Sequence, residues 1–211
     1  MSKFPAMLVA VDVQNDFCPG GALPVQTGND IVPVVNKLIQ NFSHTVLTQE
    51  WHPAGHLAFA SSHPGKHSFG STELSYGHQV LWPDHCVQGT KGAEFHPDLL
   101  VTNCETIIRT GFRRTTDSYS AFFENDKSTP TGLGGYMRER NVKTLYLCGL
   151  ATDICVLFSA LDARKLGFRV YLVDDACGGI DLHGSLDAAY KEMASAGVVV
   201  TNSEKVLSGR N

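Results

Sequence analysis

Short apolar runs that stop abruptly at a carboxylate or a glycine recur along this chain, with helix-like segments between them. The first, Ala-Met-Leu-Val-Ala-Val at 6–11, ends at Asp12 and reads as a strand buried on both faces. Similar runs occupy 44–49, ending at Glu50; 105–110, ended by Gly111; 143–148, ending at Gly149; 168–173; and 198–201. In the intervals, Asn29 or Asp30 is expected to cap a helix running to about Gln40, and 131–140 a short helix weakened by Gly132, Gly134 and Gly135. The strongest helix spans 153–166, with Val156, Ala160 and Ala163 on one side and Gly167 closing it, and the last spans 185–196. Strands alternating with helices imply βαβ units. The expected class is therefore α/β: a three-layer α/β/α, doubly wound arrangement around a six-stranded, mainly parallel sheet. With no repeat or linker, residues 1–211 read as one domain.

Composition removes several alternatives. A hydrophobic fraction of 43% argues against wholesale disorder, and a net charge of −4 leaves no basic footprint for nucleic acid. No apolar run approaches the ~20 residues needed to cross a bilayer, and Asp12 cuts the first one short of signal-peptide length. The six cysteines contain no CxxC pair, so reduced thiols in a cytoplasmic compartment fit better than a disulfide framework. A homo-oligomer is compatible with the sequence, which does not decide the point.

In open parallel sheets, ligands bind beyond the carboxyl ends of the strands. Asp12, Glu50, His52, Thr110 and the segment 151–155 fall at such ends. Cys155 follows a Gly-Leu-Ala turn and enters the first turn of a helix, where free N–H groups and partial positive charge favour a thiolate. N–H groups near Ala151 and Cys155 are candidate oxyanion donors. The competing reading is a structural cysteine beside a helix cap at Thr152 or Asp153. Asp12, a carboxylate ending an apolar strand, needs a partner or a raised pKa, and the latter suits a general base. A cap on the turn at 14–16 is the alternative.

Histidine is unevenly placed: seven of the nine fall within 52–96, a stretch with little periodicity. Stretches of that length without clear structure are usually functional. Glu50, His52, His56 and His85 form a carboxylate–imidazole set suited to one divalent ion, Zn²⁺ first, Fe²⁺ or Mn²⁺ otherwise. Exposed loop histidines are the bland alternative, to which His63, His67, His78 and His96 are assigned. Phe17, Trp82 and Tyr119 are aromatics that can sandwich a flat ring.

Taken together, the segments at 11–25 (Val-Asp-Val-Gln-Asn-Asp-Phe-Cys-Pro-Gly-Gly-Ala-Leu-Pro-Val), 51–56 (Trp-His-Pro-Ala-Gly-His), 82–88 (Trp-Pro-Asp-His-Cys-Val-Gln), 117–123 (Asp-Ser-Tyr-Ser-Ala-Phe-Phe) and 149–156 (Gly-Leu-Ala-Thr-Asp-Ile-Cys-Val) resemble the nicotinamidase/pyrazinamidase branch of the isochorismatase-like cysteine hydrolases. They run in family order along nearly the whole chain. The resemblance implies hydrolysis of nicotinamide to nicotinate and ammonia, with pyrazinamide a second candidate substrate. It assigns Cys155 as nucleophile through a thioester, Asp12 as proton shuttle, and a cis peptide before Ala151 that aims two N–H groups at the oxyanion. It places the metal on Glu50, His52 and His85, with His56 a fourth candidate, and the ring against Phe17, Trp82, Tyr119 and Leu150. No nucleic acid or membrane partner is implied.

Two positions depart from the family pattern. Glu50 stands where the family has Asp, one methylene longer and still a carboxylate. Thr110 stands where the family has a Lys that pairs with the Asp and favours the thiolate. Arg109, Arg113 and Arg114 are the nearby cations, although Arg109 belongs to the opposite face of its strand. Two alternatives follow: an amidase for another small amide, or a pyridine-binding protein whose catalysis is weakened at Thr110.

Overall fold

β1 (Ala6–Val11) forms the middle of the sheet, and Met7 through Val11 are all buried, as its uninterrupted apolar run requires. The computed structural model describes residues 6–209. Residues 1–5, ahead of that first run, lie outside the described part. β1 pairs in parallel with β2 (Thr45–Glu50) on one side and β6 (Thr144–Leu150) on the other. β5 (Thr106–Thr110) extends the sheet beyond β2, and β7 (Arg169–Gly178) and β8 (Val199–Thr201) extend it beyond β6. The order β5-β2-β1-β6-β7-β8 is parallel throughout, so the expected sheet forms without an antiparallel member.

Helices cover both faces. α1 (Val32–Asn41) packs Val35, Leu38 and Ile39 against the face carrying Leu8 and Ala10, where α5 (Ser203–Leu207) also lies. The other face, with Met7, Val9 and Val11, is covered by α2 (Leu133–Glu139), α3 (Leu157–Lys165) and α4 (Ser185–Ser195). The expected inward face of α3, Val156, Ala160 and Ala163, is fully buried. Gly167 follows that helix at φ +86°, the left-handed conformation of a C′ residue.

Several boundaries differ. α1 is not capped by Asn29 or Asp30: Ile31 precedes its first residue, and Pro33 sits in the first turn, where a missing N–H costs nothing. The stretch 51–96 contains an antiparallel hairpin, β3 (Ser71–Leu74) and β4 (Gly77–Val80), joined through Ser75 and Tyr76. That pair lacks the Asn-Gly or Asp-Gly signature of tight hairpins. β7 runs past Asp174 and Asp175 to Gly178 because the ladder with β6 slips there. Asp175 then accepts from the Ser203 N–H (2.7 Å) and hydroxyl (2.6 Å), fixing the start of the short α5 that the sequence reading did not include.

Candidate active site

The sheet order reverses between β1 and β6, and the crevice beyond the ends of those two strands is where such folds bind ligands. Asp12 leaves β1 with φ +48°; its N–H donates to Thr48 Oγ1 (3.1 Å), and the Thr48 hydroxyl donates to Asp12 Oδ1 (2.6 Å). Across the crevice, Gly149 takes φ +114°, and a Cβ there would lie 2.1 Å from the Val11 oxygen, so a side chain would push the two strand ends apart. The Leu150–Ala151 peptide is cis. A single widened turn, Thr152–Val156, then leads into α3 and buries Cys155 at its head.

Glu50 joins the nucleophile to the histidines. Its Oε1 accepts from Cys155 Sγ at 3.3 Å, and its Oε2 lies 3.1 Å from His52 Nε2 and 2.9 Å from His85 Nε2. Gln14 secures it from below, accepting from the Glu50 N–H (2.8 Å) and donating to the Glu50 carbonyl (2.9 Å). The other ring nitrogens face carbonyls: His52 Nδ1 lies 2.9 Å from Gly111 O, and His85 Nδ1 2.8 Å from Pro83 O. Carbonyls only accept, so each Nδ1 carries a hydrogen and each Nε2 is the nitrogen left to meet a carboxylate oxygen. Acceptor facing acceptor is stable only with a proton or a metal ion between them. Donors of this kind, oriented through their second nitrogens, fit a divalent ion.

Without an ion, the electrostatics favour a proton between His52 and Glu50. Burial opposes charge on both Glu50 and His52. The hydrogen bonds and charges of His52 and His85 nevertheless hold Glu50 well below the usual carboxylate range, and Glu50 raises His52 to about 9. Burial, then the charge of Glu50, pushes Asp12 up to about 7. Burial also drives the Cys155 thiol well above its ordinary value, and Glu50 and Asp12 add to that.

Gly111 is a structural requirement of this cluster. A Cβ on it would sit 2.3 Å from His52 Cε1 and 2.6 Å from Nδ1, and its φ of +62° disfavours a side chain besides. Gly111→Ala is therefore expected to displace the His52 ring and weaken metal binding about 10- to 100-fold, as losses around a ligand histidine do. Competition with a chromogenic chelator measures it.

Above the thiol, Phe17, Trp82 and Tyr119 line a narrow cleft whose floor includes Glu50, His85, Ala151 and Cys155. Trp82 and Tyr119 meet edge-to-face with centroids 6.1 Å apart. Together they form an aromatic wall against which a flat ring can pack. Leu23, Asp117, Ile154 and Ile180 complete the lining and were not foreseen.

Not every expected residue joins the site. Leu150 is fully buried in the core and does not line the cleft. His56 is grouped with His52 and Asp117 and stands outside the Glu50–His52–His85 set. Its Nδ1 accepts from the Ala58 N–H (3.0 Å), and its Nε2 faces Thr116 O (3.3 Å), so both nitrogens are engaged away from Glu50. His63, His67, His78 and His96 are outside the buried interior, as anticipated.

Thr110 lies in register with Glu50 on the neighbouring strand and is buried, and its hydroxyl has no hydrogen-bond partner. None of the nearby arginines takes up the role of a cation at the thiol. Arg109 stacks on Trp51 and donates to Gln49, Arg113 pairs with Glu124, and Arg114 donates to Gly55 O.

The model of the isochorismatase domain matches residues 6–205. The chain belongs to the isochorismatase family. Within the family, it is 50% identical over 200 residues to the nicotinamidase of Acinetobacter baylyi, covering 95% of this chain and 94% of that one. A solved nicotinamidase and pyrazinamidase structure from Acinetobacter baumanii superposes with a TM-score of 0.95 at 51% identity, over 98% of this chain and 100% of that one. The zinc complex of the Pyrococcus horikoshii pyrazinamidase matches at TM-score 0.76 and 38% identity, over 93% and 98% of the two chains. Among the described residues of this isochorismatase-family chain, no helix is long and apolar enough to cross a membrane.

Proposed function

We propose that this single isochorismatase-like domain hydrolyses nicotinamide to nicotinate and ammonia. The observation that carries the reading is the contact of one buried carboxylate, Glu50, with both the candidate nucleophile and the two candidate metal-binding histidines beneath an aromatic cleft. The similarity to nicotinamidases supports the choice of substrate.

Cys155 loses its proton to Asp12, and the sulfur attacks the carboxamide carbon. The carbonyl oxygen becomes an oxyanion facing the N–H groups of Ala151 and Cys155. Asp12 returns the proton to the departing nitrogen, so ammonia leaves and a nicotinoyl thioester remains. Water, deprotonated by Asp12, then attacks the thioester and releases nicotinate and the thiol. Phe17, Trp82 and Tyr119 orient the ring and exclude water. Glu50, His52 and His85 would hold the ion, zinc by the resemblance and the donor set, and it would supply Lewis-acid chemistry that anchors the substrate. Six unpaired cysteines fit a cytoplasmic setting.

A second reading, a pyridine binder with weakened catalysis, is favoured by one observation: the thiol faces two carboxylates, and no Lys or Arg ion pair reaches them among the described residues. Ammonia release separates the two. Turnover by the purified protein is expected to vanish after chelator treatment and to return when zinc is restored. Calorimetric binding of nicotinamide without turnover in the zinc-loaded protein would favour the second reading, and absence of both would exclude each.

A further inference from the structure

Trp82 and Tyr119 come from loops 37 residues apart, and neither lies on the six-stranded sheet, so something outside the ladder must set the spacing of the aromatic wall. The β3–β4 hairpin immediately precedes Trp82. A two-stranded hairpin is at best marginally stable alone, so its position depends on side-chain tethers. Gln79, on β4, is almost fully buried, and its amide is completely engaged. Nε2 lies within hydrogen-bond distance of Asp117 Oδ2 (2.9 Å), Tyr119 Oη (2.8 Å) and the Val80 carbonyl (2.7 Å). Oε1 accepts from the Tyr76 hydroxyl (2.8 Å) and from Asn125 Nδ2 (3.3 Å).

These bonds converge on the cleft. Trp82 Nε1 donates to the same Tyr119 oxygen (3.1 Å), so one hydroxyl oxygen joins both rings to Gln79. Asn125 carries the tie further, accepting from the Tyr119 backbone N–H at 3.0 Å. Asp117 is itself a cleft-lining carboxylate, buried and held by Gln79 and by the Ser118 N–H (2.8 Å).

We propose that Gln79 is a positioning residue for substrate: its amide locks the β3–β4 hairpin to Asp117 and Tyr119 and thereby sets the width of the slot that receives an aromatic carboxamide. This rests on the cleft being that substrate's site. Gln79 does not touch the reacting atoms, which lie on the sheet side at Cys155 and Asp12. Its loss should therefore loosen ring binding while leaving the chemical step in place.

The test compares the zinc-loaded wild type with Gln79→Leu, which keeps approximate volume and removes the amide, and Gln79→Glu, which keeps the acceptor for Tyr76 but presents a carboxylate to Asp117. Both are expected to raise KM for nicotinamide about tenfold or more with kcat within about threefold, the pattern of lost ground-state binding. Tyr119→Phe, which removes the shared hydroxyl, should raise KM in the same direction. Combined with Gln79→Leu it should add little further, because the two act through one hydrogen-bond network. Quenching of Trp82 emission by nicotinate, measured in a Trp51→Phe background, should show the same weakening without needing turnover. Failure of the hydrolase reading would thus leave this measurement intact. A fall in melting temperature with KM and nicotinate affinity unchanged would overturn the proposal, as would additive effects of Gln79→Leu and Tyr119→Phe. Should Gln79→Leu not fold, unaltered KM and nicotinate affinity in Gln79→Glu would overturn it equally.

Discussion

Cys155→Ala is expected to lower ammonia release from nicotinamide by about 10⁴-fold or more, because removing the nucleophile of a covalent mechanism abolishes the unit in which it acts. The fold should survive. Cys155 is buried at the head of α3, and the change deletes one sulfur beside Glu50 and Asp12. A melting temperature close to wild type, with nicotinamide still bound in calorimetry, is the accompanying result. Comparable turnover in the variant would sink the thioester route.

Thr110→Lys is expected to act in the opposite direction and raise kcat/KM. Thr110 stands in register with Glu50 on the adjacent strand and on the same face, buried, with a hydroxyl that has no partner. A lysine there would direct its ammonium toward Glu50 and Asp12. Burial disfavours that charge, but two nearby carboxylates offset it. An opposite charge within hydrogen-bonding range lowers an acid's pKa by about 1–3 units, so the thiolate fraction at neutral pH should grow about 10- to 10³-fold, with the rate of alkylation by iodoacetamide rising in step. Turnover that rises with alkylation would show that Thr110 limits catalysis. Faster alkylation with unchanged turnover would locate the limiting step after sulfur attack. No change in either would mean that the existing carboxylates and histidines already provide what the ammonium would add.

Much of the fold was legible because it rests on local pattern. The apolar runs cut off by Asp12, Glu50 and Gly149 bury both faces, the mark of central parallel strands, and the run cut off by Gly111 is the half-exposed edge strand β5. The departures came from long-range contacts. β7 continued past two aspartates because its ladder with β6 slips, and α5 depends on Asp175, 28 residues upstream of the Ser203 it holds. The β3–β4 hairpin turns on Ser75 and Tyr76, whose local signal is weak, and its tether, Gln79, bonds to partners about 40 residues away.

For the site, the sequence by itself determined which chemistries were present: a cysteine after a Gly-Leu-Ala turn, a carboxylate ending a strand, a carboxylate with histidines, and aromatics near each. Those residues are visible because their types and spacings are unusual for their local elements. Tertiary structure alone decided how they share the space. It placed Glu50 against Cys155 and the two histidines at once, turned both Nε2 atoms toward one oxygen, and engaged both nitrogens of His56 elsewhere. It also brought Thr48 to Asp12 and Gln79 to Asp117 and Tyr119. The physical reason is range. Strand and helix patterns are written within a few residues, whereas hydrogen-bond direction and the burial of charge depend on groups that meet only when the sheet is assembled.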